Sequence, residues 1–193
     1  MAEELVINAP IEERYVDYNG HKTYVKIVGE RKDNGKKPLL VLHGGPGDCH
    51  NYLLDLARIA DKYDRQVIFY DQIGCGKSMV ENMGEDYYTY DLWINEYYTV
   101  CEALGLDDFH LFGNSWGGML GMLCMMKDDK GVNSFVINSS PVLIQSWLDA
   151  ANHLITFLPL EMQNALAEAE ATGNYETVQA KAAFDEYYKL HVC

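Results

Sequence analysis

The sequence predicts an α/β fold with a mostly parallel sheet and one antiparallel edge. Three observations support this class. Short continuous apolar runs, typical of strands buried on both faces, alternate with segments whose apolar residues recur at helical spacing. Near the N-terminus, an Asn-Gly pair separates two stretches rich in Tyr, Val and Ile, as in an antiparallel hairpin. At residues 113–117 the pattern Gly-x-Ser-x-Gly follows an apolar run and precedes a helical segment, which is typical of a sharp strand-to-helix turn.

The first half of the chain is predicted to form a hairpin, two strands and a helix. The hairpin is expected within residues 11–28, because both residues of its Asn-Gly turn tolerate positive φ. Continuous apolar runs at residues 38–42 and 67–70 predict two buried strands. Between them, the apolar spacing predicts a helix over residues 53–63, for which Asp48 is the candidate N-cap.

Two helices and two strands are predicted to follow. One helix is expected over residues 93–104, with Thr89 near its start. Strands are expected at residues 109–112 and 134–137, on either side of a helix over residues 119–127. Because strands and helices alternate, the sheet is expected to be mostly parallel and covered on both faces.

The chain changes character near residue 141. Residues 1–141 are predicted to be the N-terminal part of an α/β core. Residues 142–193 are rich in Ala, Glu, Leu and Met at helical spacing, with breaks at Pro159 and Gly173, and predict two or three helices of a lid or cap. The alternative for this segment is an ordinary pair of surface helices.

Charge and cysteine content exclude several kinds of partner and compartment. The 15 basic and 29 acidic residues give a net charge of −14, which argues against nucleic acid or anionic membranes as partners. Five cysteines without a Cys-x-x-Cys pair favour reduced thiols over a disulfide framework. The N-terminus lacks the pattern of a signal peptide, and no apolar stretch is long enough to span a bilayer. We therefore expect a cytoplasmic protein.

Ser115 is the candidate nucleophile. A strand-to-helix turn of this kind forces its central residue into strained backbone angles and brings strand and helix close together. Gly113 and Gly117 flank it where side chains would collide.

A second glycine-rich segment, HGGPG at residues 43–47, follows a predicted buried strand. Ligand sites of parallel sheets lie at this end of the strands, and such a turn exposes backbone N–H groups. The expected oxyanion donors are Gly45, with Gly44 as the near alternative, and Trp116, the residue after the nucleophile. His43 is expected to shape the turn by hydrogen bonding, whereas His50 is expected to be a surface residue at the start of the next helix. The alternative is a turn that only reverses the chain.

A third segment, DQIGCGKS at residues 71–78, ends like a phosphate-binding P-loop. That loop needs a glycine five positions before its Gly-Lys-Ser, where this chain has Asp71, and a carboxylate would repel phosphate. A structural turn beside the site is the favoured interpretation.

Together the three motifs, at residues 43–47, 71–78 and 113–118, resemble the ordered signature of the proline iminopeptidase branch of the α/β-hydrolases. The resemblance extends over nearly the whole chain. It implies a cofactor-free serine peptidase that removes an N-terminal residue, often proline, from a peptide or amino-acid amide. It also implies Ser115 as nucleophile, Trp116 and the glycines of the first motif as oxyanion donors, and a helical cap that holds the substrate amine.

The acid and the base of this fold follow the serine on loops after later strands. Nothing after residue 141 has the pattern of such a strand. We therefore expect a C-terminally incomplete α/β-hydrolase whose last strands, with the catalytic Asp and His, lie beyond Cys193. Such a chain would be nearly inactive alone, and its unpaired sheet edge would favour self-association.

Alternatives to this interpretation stay open at the level of sequence. His153 and His191, with Asp149 and Asp185 on the same helical segments, are weaker candidates for the base and acid. The protein is alternatively another small-substrate hydrolase (an esterase, lactonase or amino-acid amidase) or a non-catalytic truncated remnant.

Overall fold

One six-stranded sheet organises the first part of the chain. The structure, a computed structural model, describes residues 5–192 except for the side chain of Glu85. It divides into two units, Met1–Ser140 and Pro141–Cys193. The strands of the first unit are β1 (Ile11–Tyr18), β2 (His21–Val28), β3 (Leu39–Leu42), β4 (Val67–Tyr70), β5 (Phe109–Asn114) and β6 (Val132–Asn138).

The strand order is β1-β2-β4-β3-β5-β6. β2 pairs antiparallel with β1 and with β4, whereas β3 pairs parallel with β4 and β5, and β5 with β6. The predicted hairpin is confirmed: Asn19 and Gly20 at its turn have φ of 50° and 79°. The predicted class, a mostly parallel sheet with an antiparallel N-terminal hairpin, is also confirmed.

The helices of the first unit differ in part from the sequence prediction. The helix predicted over residues 53–63 begins as a 3₁₀ helix, His50–Ala57, and continues as α1, Arg58–Tyr63. Asp48 was wrongly predicted as its N-cap: Cys49 occupies that position and makes no side-chain capping bond.

The next two helices of this unit follow the prediction. α2 spans Tyr90–Ala103, and the Thr89 hydroxyl caps it by accepting a hydrogen bond from the Leu92 N–H at 3.2 Å. α3 spans Trp116–Lys127 and starts directly after Ser115.

Two buried clusters cover the central strands of the sheet. One contains residues of α2 and α3, among them Trp93 and Leu120, packed with side chains of β2, β3, β4 and β5. The other contains Leu53 and Ala60 from the 3₁₀ helix and α1, with further side chains from the same central strands. β3 and β4 are buried along their full length, as their continuous apolar sequences predict. β6 lies at one end of the sheet, and its Val136 is half exposed.

The second unit is helical. It contains α4 (Ile144–Ile155), α5 (Leu160–Thr172) and α6 (Val178–His191), in line with the two or three helices predicted. A small cluster of Leu158, Leu166 and Ala183 holds it together. The assignment of this unit to a cap stays a prediction. Within residues 5–192, no helix is both long and apolar enough to cross a bilayer. Four cysteines are free thiols, and Cys193 lies outside the described residues.

Candidate active site

Ser115 stands at the point where β5 ends and α3 begins. Its backbone has φ 52° and ψ −121°, a positive-φ conformation outside the αL region that costs free energy for any residue with a Cβ atom. The Ser115 N–H donates to the carbonyl oxygen of Asn138 at 2.9 Å, which ties the turn to the end of β6. The sequence therefore forms the strained turn that its Gly-x-Ser-x-Gly pattern predicts.

The glycines beside Ser115 allow a close approach of backbone to backbone. A Cβ atom on Gly113 would lie 2.5 Å from the carbonyl oxygen of Gly117. A Cβ atom on Gly117 would overlap the carbonyl oxygen of Leu42, at the end of β3. Side chains at either position would force α3 away from the sheet and carry Ser115 with it.

The HGGPG segment lies against the turn at Ser115. A Cβ atom on Gly44 would be 3.1 Å from the Ser115 Cβ, so the two segments are in contact. The N–H of Gly44 donates to the Tyr52 hydroxyl at 2.7 Å. Gly45 has φ 113°, a conformation that favours glycine. Trp116 is the first residue of α3, so its N–H has no partner within the helix.

His43 is enclosed and bonded on both ring nitrogens. Its Nε2 accepts a hydrogen bond from the Gln72 N–H at 2.9 Å, so Nδ1 carries the proton and donates to the Gly44 carbonyl at 2.8 Å. Burial lowers the pKa of His43. Because Nε2 accepts a hydrogen bond, the ring is neutral, and it links the HGGPG segment to Gln72. The role of His43 in shaping the site stays a prediction.

Asp71 faces inward. Its carboxylate accepts hydrogen bonds from the His50 ring Nδ1 at 2.7 Å, the His50 N–H at 3.0 Å and the Lys77 N–H at 2.9 Å. Burial alone would raise the pKa of Asp71, but these hydrogen bonds outweigh it and hold the pKa below its usual value. These bonds hold the segment at residues 71–78 as a turn. His50, which the sequence predicted to be a surface residue, is instead buried at 3% exposure because it binds this carboxylate.

The other histidines contact groups away from the serine. His110 bonds the Ser134 hydroxyl at 2.7 Å through its Nδ1, and His21 packs edge-on against Tyr87. In the described part of the first unit, no histidine is hydrogen-bonded to the Ser115 hydroxyl.

The two histidines of the second unit also have neighbours within their own unit. His153 packs against Phe157, and His191 against Tyr187. Asp149, the predicted helical neighbour of His153, accepts a hydrogen bond from the Gln145 amide at 2.8 Å.

Sequence reasoning missed three side chains around the site. Tyr52 joins Gly44 to Asn114, and Gln72 joins His43 to Trp116. Glu96 is fully buried and accepts a hydrogen bond from the Ile73 N–H at 2.9 Å. All three make contacts between residues far apart in sequence, which local patterns do not encode.

Known proline iminopeptidases are similar to this chain over almost its whole length. The proline iminopeptidase of Lactobacillus delbrueckii subsp. lactis is 43% identical over 183 residues, which are 94% of this chain and 62% of the relative. That of Clostridioides difficile (strain 630) is 40% identical over 182 residues, which are 94% of this chain and 61% of the relative. The crystal structure of a proline iminopeptidase from Mycobacterium smegmatis matches with a TM-score of 0.82 and 38% identity, over 94% of this chain and 62% of that one.

These matches confirm the resemblance predicted from the three motifs. The chain spans about 62% of the length of the relatives it matches. The family model of the alpha/beta hydrolase fold matches residues 37–191, a range that includes Ser115 and all three motifs. The chain belongs to the alpha/beta hydrolase fold family.

Proposed function

We propose that this protein is a serine aminopeptidase that removes an N-terminal proline, or another small or apolar residue, by acyl transfer through Ser115. The observation that carries the proposal is the strained Ser115 turn in contact with the HGGPG segment. Strain of this kind is found where a nucleophile is held exposed at a strand-to-helix turn. The similar proline iminopeptidases supply the substrate class.

The proposed reaction uses the backbone around Ser115. The base takes the proton of the Ser115 hydroxyl as Oγ attacks the first peptide carbonyl. The resulting tetrahedral intermediate has an oxyanion that accepts hydrogen bonds from the N–H groups of Gly45 and Trp116. The intermediate collapses to an acyl-enzyme when the peptide amine leaves with a proton from the base. Water then releases the amino acid and restores the serine. Each oxyanion donor contributes about 2.7–4 kcal/mol in enzymes where this has been measured.

We further propose that the base and acid do not come from the first unit. His43 and His50 are buried, and their ring Nδ1 atoms bond the Gly44 carbonyl and the Asp71 carboxylate.

His153 and His191 of the second unit pack against Phe157 and Tyr187, so we do not assign the base to them either. A serine without its base loses a factor of about 10⁶ in kcat, so we expect residues 1–193 alone to be nearly inactive.

The test compares the protein expressed from its complete reading frame with residues 1–193 alone. The substrates are prolyl, alanyl and leucyl 4-nitroanilides and 4-nitrophenyl acetate. We expect the protein from the complete reading frame to hydrolyse prolyl 4-nitroanilide, and residues 1–193 to do so at most weakly. Ser115→Ala should abolish hydrolysis, whereas Ser134→Ala, which removes an exposed hydroxyl bonded to His110, should not.

Three outcomes would contradict the proposal or part of it. Turnover that survives Ser115→Ala would exclude Ser115 as nucleophile. Hydrolysis of the ester without hydrolysis of any anilide would exclude peptidase action and favour an esterase. Full activity of residues 1–193 would show that the base lies within them.

We also propose that β6 supports self-association. It ends the sheet, so its outer edge has unpaired backbone groups, and Val136 is 51% exposed. Val136→Lys should lower the associated fraction in sedimentation velocity, whereas Val178→Lys, at a 79% exposed position of α6, should not. Equal association of both variants would exclude the β6 edge as the site of self-association.

The cytoplasmic location stays a prediction.

A further inference from the structure

Gln72 is a fully buried polar residue that the proposed chemistry does not use. It follows β4 by two positions and has 0% exposure. Its side-chain amide nevertheless has two well-formed hydrogen bonds. Nε2 donates to the His43 carbonyl oxygen at 2.9 Å, and Oε1 accepts from the Trp116 indole N–H at 2.8 Å. Burying an amide is unfavourable unless both of its ends are bonded, and here both are.

The chemistry of the two partners fixes the orientation of this amide. An indole N–H only donates and a carbonyl oxygen only accepts, so Oε1 must face Trp116 and Nε2 must face His43. The backbone of the same residue adds a third bond, from the Gln72 N–H to the His43 Nε2 at 2.9 Å. The following residue, Ile73, is held in turn by the buried Glu96 carboxylate at 2.9 Å. Hydrogen bonds therefore hold the backbone at Gln72 and Ile73, while the Gln72 side chain bonds to two other segments.

The two segments that Gln72 joins are those that carry the candidate oxyanion donors. His43 directly precedes Gly44 and Gly45, and Trp116 carries the other N–H. His43 and Trp116 stand on different elements, directly after β3 and at the start of α3. The parallel ladder of β3 and β5 ends at the pair Leu42–Gly113, so the residues that follow it are not themselves held by ladder pairing. A one-ångström error in such a spacing costs about a hundredfold in rate.

We infer that Gln72 is a positioning residue, which holds the N–H groups of Gly45 and Trp116 at the separation that an oxyanion needs. The inference rests on the proposed function of Ser115. Negative charge on the acyl oxygen is largest in the transition state, so loss of this positioning lowers kcat and leaves KM nearly unchanged.

The experiment replaces Gln72 by Met and uses Gln66→Met as the matched control. Gln66 immediately precedes β4 at its opposite end, and its amide also donates to a backbone carbonyl, that of Gly29 at 3.2 Å. Kinetics with prolyl 4-nitroanilide use the protein expressed from its complete reading frame. Gln72→Met should lower kcat ten- to a hundredfold with KM changed less than twofold. Gln66→Met should change both by less than twofold.

A second variant and a second measurement separate positioning from folding. Gln72→Glu keeps the shape and the acceptor for Trp116, but it places a carboxylate oxygen against the His43 carbonyl, so it should also lower kcat selectively. In residues 1–193, ¹⁵N relaxation should show larger motions of the Gly45 and Trp116 amides in Gln72→Met than in Gln66→Met.

The outcomes distinguish the positioning role of Gln72 from the proposed function of Ser115. If Ser115→Ala abolishes turnover while Gln72→Met lowers kcat no more than Gln66→Met, the positioning role is wrong and the proposed function stands. Unchanged amide motions in Gln72→Met would overturn the positioning role as well. If the unsubstituted protein has no turnover that depends on Ser115, the proposed function fails, and the relaxation data alone decide whether Gln72 orders the two amides.

Discussion

The backbone N–H of Gly44 donates a 2.7 Å hydrogen bond to the hydroxyl of Tyr52. The same hydroxyl donates to the side-chain oxygen of Asn114 at 2.7 Å, so one phenol joins the HGGPG segment to the residue before Ser115. Because the N–H of Gly44 already has an acceptor, Gly45 is the better candidate for the oxyanion donor of this segment.

The first prediction concerns this contact. A Cβ atom at position 44 would lie 2.8 Å from the Tyr52 hydroxyl oxygen, so Gly44→Ala should lower the free energy of unfolding. Tyr52→Phe removes that oxygen and costs about 1 kcal/mol for its lost hydrogen bonds. In the double variant the steric conflict is smaller, so the loss should be less than the sum of the two single losses. Urea denaturation of the four proteins measures this coupling.

Additive losses in that cycle would show that the Tyr52 hydroxyl is not the atom that excludes a side chain from position 44. Gly20→Ala is the control, because a Cβ atom there meets nothing within 4 Å. Its cost, from the positive φ alone, should not change when Tyr52 is replaced.

The second prediction concerns backbone strain at Ser115. Its φ of 52° favours glycine, so Ser115→Gly should be more stable than Ser115→Ala by about 1 kcal/mol in urea denaturation. At Thr99, inside α2, the order should reverse, because glycine is the poorer helix former by about 1 kcal/mol. The same order of alanine and glycine at both positions would argue against strain at Ser115.

The third prediction concerns the Asp71 carboxylate. Asp71→Asn replaces an acceptor of three hydrogen bonds by an amide whose NH₂ group faces donors, so the free energy of unfolding should fall by about 2–3 kcal/mol. The control is Asp55→Asn, since its carboxylate is 82% exposed and pairs with Arg58 at 3.3 Å. Chemical denaturation should show a change below about 0.5 kcal/mol for this control. A similarly small change for Asp71→Asn would contradict the role assigned to its hydrogen bonds.

The fourth prediction concerns the pH dependence of stability. Burial raises the pKa of Glu96 to about 7, despite hydrogen bonds from Thr23 and Ile73 that favour the charged form. Between the ordinary pKa of 4.5 and about 7, the native state keeps a proton that the unfolded state has released. Stability therefore falls as pH rises through this window and becomes level above it.

The variant Glu96→Gln tests whether stability falls as pH rises. Its amide is neutral at every pH, and its oxygen can accept from the Ile73 N–H as Glu96 does. At pH 8 it should exceed the unsubstituted protein in unfolding free energy by up to about 3 kcal/mol, and the two should converge near pH 4.5. Glu102→Gln, at an exposed position of the same helix, should follow the unsubstituted protein. A constant difference across this pH range would exclude Glu96 as the titrating group.

Local sequence patterns predicted most of the fold. The continuous runs at β3 and β4, the Asn-Gly turn and the Thr89 cap each depend on neighbouring residues, and each lies where the sequence placed it. The turn at Ser115 also follows from local pattern, because its glycines are needed where strand and helix cross.

The features that the sequence did not predict depend mostly on contacts between distant segments. His50 resembled a surface residue until its partner Asp71, 21 positions later, was known. The bonds made by Gln72 span 29 and 44 positions, so no periodicity reveals them. Asp48 is of a residue type that is favoured at helix N-caps, but the N-cap position of the 3₁₀ helix is one residue later, at Cys49.

The residues that form the core around the sheet are synthesised before the second unit. All members of the two clusters that cover the sheet fall between Ile7 and Phe135. Translation proceeds at roughly 5–20 residues per second, so the second unit takes some seconds to be made after these residues have been joined. The serine turn and its glycine-rich neighbour can therefore condense during synthesis, before the helices that follow have emerged.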